Sequence, residues 1–257
     1  PPPRRAVREI RAFGRHMELS HYLEPWERPD SGVQVTGSTL WDAGIALVAH
    51  MESVRSLMGE GPLSVLEIGA GCGAVGIALA LNGDEVLVTD NQPEVLEILR
   101  ENVERNDVGC NASVAELDWE KPPSLALASR GWHLIVAADV VYGLPHFTPL
   151  LRFLEALAHP RTTLVFAFGN KQRRSREDVQ FIEQLRERNV FEIESYGVPV
   201  QGFEGVEVLT FRRKPMEWTS DDEDWLDNLD SDIEPAPEPE LPAPATEYHC
   251  QHSLSDI

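Results

Sequence analysis

Four acids and one phenol in this sequence stand where they can do chemistry. The stretch VLEIGAGCGAVG (65–76) runs an apolar strand into a series of glycines. Gly71, Gly73 and Gly76 satisfy the dinucleotide pattern G-x-G-x-x-G, and Asp90 follows about 20 residues on, where a ribose-binding acid belongs. The same glycines also satisfy acid-x-Gly-x-Gly-x-Gly, with Glu67, Gly69, Gly71 and Gly73. A carboxylate inside a buried strand is costly unless something there needs its charge or satisfies it. A nicotinamide dinucleotide would bring a pyrophosphate to this loop, which Glu67 would repel. S-adenosylmethionine brings a sulfonium and an ammonium, for which a carboxylate is a suitable neighbour. The glycine pattern alone leaves both cofactors open, and the acid favours the second.

Three further points along the chain agree with that choice. Asp90, with Asn91 beside it, is placed either to accept the ribose hydroxyls or to cap the helix opening at Gln92 and Pro93. Asp118 and Trp119 end the third strand candidate, where an aromatic face can stack on adenine; the alternative for the Trp is a surface anchor. In ADVVY (138–142), Asp139 ends the fourth strand candidate and Tyr142 lies three residues on. Both stand at the carboxyl end of a strand, the edge where such a sheet binds its ligand. As plain structure, Asp139 reads as a helix cap and Tyr142 as a core aromatic.

These residues need a scaffold that brings them together, and the hydrophobic pattern supplies one. Apolar runs SVLEIG (64–69), EVLVTD (85–90), NASVAELD (111–118), WHLIVAAD (132–139) and TTLVFAFG (162–169) read as strands. Helical stretches at 73–82, 93–106, 146–158 and 177–188 separate most of them, and TLWDAGIALVAHMESVRSLM (39–58) is helical ahead of the first. Near-continuous apolar strands joined by helices imply a parallel sheet covered on both faces. FEIESYG (191–197) and GVEVLTFRR (205–213) are joined by a loop too short for a parallel crossover, so they form an antiparallel hairpin. The fold class is therefore α/β, a Rossmann-like seven-stranded sheet of five parallel strands plus a terminal hairpin. RAFGRHMELSHYLE (11–24) alternates like a short hairpin. The expected organisation is an N-terminal extension over 1–40, a catalytic domain over 41–214 and a tail over 215–257.

With these motifs in place, the sequence resembles the seven-β-strand, or class I, S-adenosylmethionine-dependent methyltransferases. Within them it is similar to the protein-lysine branch that modifies chaperones and translation factors. The resemblance runs from about Phe13 to Arg213 and rests on TGSTLWDAG (36–44), VLEIGAGCGAVG (65–76), VTD (88–90), ELDW (116–119) and ADVVY (138–142), in the family's order. It implies cofactor contact by Trp41, Gly69, Gly71, Asp90, Trp119 and Ala138. It also implies that Asp139 and Tyr142 form the family's acid-x-x-Tyr motif beside the transferred methyl. The expected reaction is methyl transfer to a lysine of a protein substrate. Arginine, histidine, a small-molecule amine, or a cofactor-binding scaffold remain open at this point. After strand five the chain has GNKQRRSRED, where many relatives carry a different arginine-bearing segment. Its KQRRSR (171–176) reads as a grip on an acidic patch or as a solvated loop.

Composition bounds the setting. The formal net charge is −21, and thirteen of the acids lie from Glu217 onward, where there is no Lys or Arg, leaving −8 on the rest. A domain that is still acidic lacks the footprint of a nucleic-acid binder. No apolar run is long enough for a membrane span. Cys72, Cys110 and Cys250 lie far apart, which suits an intracellular chain better than a disulfide framework. The N-terminal PPPRRAVREIRAFGR carries five arginines, but Glu9 interrupts it and no apolar core follows, so a cytoplasmic or nuclear monomer is the expectation. The tail combines charge repulsion with proline and reads as disordered. Trp225, Leu226 and Leu229 within it offer a short recognition helix for a basic partner, the alternative being a solvated tail. No metal site is expected, His249, Cys250 and His252 having no second ligand pair.

Overall fold

Strands in the middle of this chain are apolar on both faces, and that decides the architecture. In the computed structural model, which describes residues 4–142, 147–169 and 176–215, β5 (Ser64–Glu67), β6 (Glu85–Asp90), β7 (Ala112–Glu116), β8 (Leu134–Ala138) and β9 (Thr163–Phe168) pair in parallel. β10 (Phe191–Val200) and β11 (Phe203–Arg213) form the expected antiparallel hairpin, and β11 is the strand that adds antiparallel to β9. The sheet order is β10-β11-β9-β8-β5-β6-β7, so the chain reverses direction across the sheet at β5, flanked by β6 and β8. Ligands of doubly wound sheets bind at that crevice, beyond the carboxyl ends of the strands.

Alternation along each strand feeds two separate cores. In β8, Leu134 and Val136 join one cluster and Ile135 and Ala137 the other. The first cluster is closed by α1 (Asp42–Val54), α2 (Ala74–Leu81) and α3 (Pro93–Arg105); the second by α5 (Phe147–Leu157) and α6 (Arg176–Arg188). In α2 every residue from Ala74 to Ala80 is buried, which is why its sequence has no polar face. A short α4 (Leu125–Ala128), capped by Ser124, was not legible in the sequence. The long helix expected over 39–58 begins only at Asp42 and tightens into a 3-10 turn over Arg55–Met58.

The chain up to Lys214 clusters as one compact unit. Its N-terminal hairpin begins earlier than the alternation suggested, with β1 (Arg5–Ala12) inside the arginine-rich segment and β2 (Arg15–Tyr22) after it. Phe13 and Gly14, at φ 50° and 73°, make the two-residue turn, a left-handed pair that matches the strand twist. Buried Asn102 of α3 fastens this hairpin. Its Oδ1 accepts from the Ser20 N–H at 2.7 Å, and its Nδ2 donates to Ser20 O at 3.0 Å and to Cys72 O at 2.9 Å. One side chain thus ties the hairpin to the glycine loop. A small ribbon, β3 (Trp26–Glu27) with β4 (Gln34–Val35), follows, and Arg28 reaches α3 through a two-pronged bond to Glu94.

Among the described residues no helix is long and apolar enough to cross a membrane. Cys72 is free and buried, and Cys250 lies outside the described residues. The tail, with Trp225, Leu226, Leu229, His249 and His252, lies outside the described residues, as do Lys171 to Ser175 of the KQRRSR segment.

Candidate active site

The carboxyl ends of β5, β6 and β8 open into a cleft of about 720 Å³, roofed by the segment 36–41 and the first turn of α1. Of the twelve residues expected at a site, ten line it: Trp41, Glu67, Gly69, Gly71, Asp90, Asn91, Trp119, Ala138, Asp139 and Tyr142. Gly73 and Asp118 do not. Gly73 caps α2 at φ 80°, where an added Cβ would stand 2.4 Å from Leu99 Cδ1, so its role is to let the helix close on α3. Asp118 turns away, its Oδ1 accepting from the Glu120 N–H at 3.0 Å and its Oδ2 facing Lys121 Nζ at 3.1 Å.

The glycine loop is built by close approach. Gly71 has φ 56°, and a Cβ there would lie 2.7 Å from Gly37 O; a Cβ on Gly69, at φ 60°, would meet Val140 at 2.8 Å and the Trp119 ring at 3.4 Å. Gly37 O and Ser38 O also accept from the Cys72 thiol at 3.6 and 3.4 Å. Burial pushes that thiol up to about 12, so Cys72 is a packed donor here and no nucleophile. The Asp90 carboxylate accepts from Gly71 N–H at 3.2 Å and Gln92 N–H at 3.1 Å, one bond to each oxygen. Its remaining lone pairs are free to accept from a diol. Burial raises its pKa, and the backbone donors around it pull the other way.

Glu67 is placed differently from the charge argument made for it. Although it lines the cleft, its Oε2 accepts from the Gly76 N–H at 2.8 Å, in the first turn of α2. Gly76 is glycine because a Cβ would stand 2.2 Å from Val88 Cγ1 and 2.5 Å from Glu67 Oε2. Desolvation pushes the carboxyl up from 4.5 to about 8, against the pull of the Gly76 and Val75 N–H groups. An acid whose folded pKa lies above its unfolded one is proton-rich in the native state, so its contribution is complete at low pH. It is lost as pH rises from about 4.5 toward 8, by at most about 1.4 kcal/mol per pH unit. Glu67→Gln keeps an acceptor for Gly76 without titrating. Its melting temperature relative to wild type is expected to rise between pH 5 and 8, which thermal scans across that range would check.

Asp139 is the most constrained residue of the cleft. It sits immediately after β8 at φ 51°, a left-handed backbone that Asp tolerates but that stores strain. Its N–H donates to Ala167 O at 2.9 Å, and its Oδ1 accepts from the Gly169 N–H at 2.6 Å. A Cβ on Gly169 would reach within 2.7 Å of Asp139 Oδ2, so a glycine at the end of β9 makes room for the acid. Burial raises the Asp139 pKa, the Gly169 bond lowers it, and the charge of Asp42 raises it again. Tyr142, three residues on, is 54% exposed and forms part of the mouth, so it is no core aromatic. Trp41, 45% exposed, is held by a bond from its Nε1 to Thr36 O at 3.2 Å.

Sequence reasoning passed over Asp42, Gln92, Gly169 and Glu204, all of which line the cleft. Asp42 and Gln92 were visible as neighbours of chosen residues. Gly169 and Glu204 arrive from distant strands, with no local pattern to mark them. No group of three metal-ligating side chains occurs among the described residues.

A sheet of this order, with a glycine loop and a strand-end acid at its switch point, defines a class I S-adenosylmethionine-dependent methyltransferase. Solved structures share that fold: the CcbJ methyltransferase of Streptomyces caelestis at 14% identity and a TM-score of 0.55, over 70% of this chain and 93% of that one. The glycopeptide N-methyltransferase MtfA, in complex with sinefungin, has a TM-score of 0.54 at 12% identity, over 74% and 91% of the two chains. A family model described as lysine methyltransferase matches residues 23–188. The protein N-lysine methyltransferase METTL21A of Danio rerio is 35% identical over 155 residues, 59% of this chain and 67% of its own. The EEF1A lysine methyltransferase 3 of Mus musculus is 34% identical over 169 residues, 62% of this chain and 70% of its own. The chain belongs to this lysine methyltransferase family, and its reaction is transfer of a methyl group from S-adenosylmethionine to a protein lysine.

Proposed function

We propose that Asp139 and Tyr142 form the acceptor end of the cleft, with Trp41, Gly69, Gly71, Asp90, Asn91, Trp119 and Ala138 holding the cofactor. The observation that carries this is the strained, half-buried Asp139 facing the cleft beside Gly169. The glycine loop fits the cofactor because side chains are sterically excluded there, and Asp90 fits a ribose because its carboxylate keeps acceptor capacity. S-adenosylmethionine, when bound, supplies a methyl on a positive sulfur: the lysine nitrogen forms the new N–C bond, the C–S bond breaks, and its electron pair stays on sulfur. A lysine near pKa 10.4 must first give its proton to solvent. Asp139 aligns the amine through a hydrogen bond, and alignment in a dry pocket is most of what such a displacement needs.

The acceptor protein is proposed to be a chaperone or a translation factor. The second reading is supported by the mouse relative, whose name places its activity on EEF1A. The enzyme is proposed to act as a monomer in the cytoplasm or nucleus, its acidic tail engaging a basic partner. The test is transfer of labelled methyl from S-adenosylmethionine into a hypomethylated cell lysate, resolved by mass and hydrolysed. A discrete labelled protein yielding methyllysine is the expected result; label in arginine, in histidine or only in small molecules would refute the assignment.

A further inference from the structure

The cleft is acidic: among the described residues Asp42, Glu177, Asp178 and Glu204 line it beside Glu67, Asp90 and Asp139. Asp42 is the first residue of α1, directly after Trp41, and it lines the cleft together with Asp139 and Tyr142. It is exposed, and no hydrogen bond or ion pair holds it among the described residues. No Lys, Arg or His lines the cleft among those residues either. The two carboxylates come from elements far apart in sequence, yet Asp42 is near enough for its charge to be felt at Asp139. The amino-terminal end of a helix suits a negative charge, so the fold supplies support for Asp42 there without a partner side chain. Two acids facing one space repel each other until a cation enters between them.

We propose that Asp42 is an acceptor-binding residue: with Asp139 it captures the ammonium of the incoming lysine at the mouth of the cleft and delivers it to the transferred methyl. This rests on the lysine reading above and assigns the division of labour within it. Asp139, deeper and fixed by Gly169, sets the direction of the amine. Asp42, at the exposed end, meets the side chain while it still carries its proton, which lysine does at neutral pH. The proton then leaves to the water on the Asp42 side, and the neutral nitrogen stays hydrogen-bonded to Asp139. Capture by an exposed carboxylate acts on binding of the acceptor and leaves the methyl-transfer step alone.

The experiment uses the full chain and, as acceptor, the purified protein that it labels in the hypomethylated lysate. Asp42→Asn is expected to raise KM for that protein about tenfold, the size of one charge-assisted contact, with kcat within about threefold. Affinity for S-adenosylmethionine, read by calorimetry, should be unchanged. Asp42→Glu should restore most of the loss, and Glu52→Gln, which removes an exposed charge further along the same helix, should leave KM as it was. An unchanged KM in Asp42→Asn overturns the inference. So does weakened S-adenosylmethionine binding, which would place Asp42 against the sulfonium instead. Both of those outcomes leave lysine methylation standing, whereas a wild-type chain that labels no protein sinks the lysine reading and this one with it.

Discussion

Asp139→Asn is expected to lower kcat about a thousandfold while changing the affinity for S-adenosylmethionine less than about threefold. Asn is the informative substitution because it accepts the left-handed φ of 51° nearly as well as Asp and can keep an oxygen facing the Gly169 N–H. Shape and backbone are preserved, and only the charge and one acceptor site go. The amide cannot draw an ammonium into the cleft, and its NH2 face presents donors to a nitrogen that needs an acceptor. Asp139→Ala removes the same chemistry but adds a strained alanine and an unpaired Gly169 N–H, so a loss there has two explanations. Initial rates with the labelled acceptor, beside calorimetric titration of the cofactor, separate the two quantities. Full activity in Asp139→Asn would mean that the carboxylate is a strand-end cap and that alignment comes from Tyr142 or the substrate itself.

The parts of this molecule that were legible in the sequence are those whose cause is local or periodic. Strands β5, β8 and β9 announce themselves because both their faces are buried, so almost every position is apolar, whereas β7 at the sheet edge has a single buried residue; the terminal hairpin follows from one short loop. Gly69 and Gly71 are readable because their motif is local, although what excludes a side chain there, Val140 and the Gly37 carbonyl, comes from far along the chain. Glu67 shows where such reading stops. Its motif position is clear, but the partner of its carboxylate is the Gly76 N–H, and only the packing of α2 on β6 reveals that the acid serves a helix terminus. Asp118 differs in another way: two residues beyond β7 the chain has left the sheet, and its side chain closes a local turn with Glu120 and Lys121. Gly169 and Glu204 were beyond reach, because their place in the cleft depends on which strand β11 joins. The N-terminal ribbon escaped notice since strands of two residues carry no period.

Gly71→Ala should weaken cofactor binding about a hundredfold, even though it adds a single methyl group. Two costs fall on the same atom. Left-handed backbone at φ 56° costs an alanine about 1 to 2 kcal/mol. The new Cβ would also stand 2.7 Å from Gly37 O, a backbone atom that cannot swing aside as a side-chain tip would, and such overpacking costs about 1 to 3 kcal/mol. The second cost is the one that reaches function. Gly37 cannot retreat freely: it carries a bond from the Cys72 thiol, and a Cβ on it would already stand 3.2 Å from Val95 and 3.3 Å from the Asp90 carboxylate. Pushing it outward lifts the segment 36–41, which roofs the cleft and holds Trp41 through Thr36 O, and it strains the Gly71 N–H bond to Asp90. Gly83→Ala provides the comparison, since Gly83 has φ 97° but an added Cβ there meets nothing within 4 Å. That variant bears backbone strain alone and is expected to lose thermal stability with cofactor affinity intact. Equal losses of affinity in the two variants would show that general loosening of the fold is responsible, and that the contact between Gly71 and Gly37 has no particular part in shaping the cofactor site.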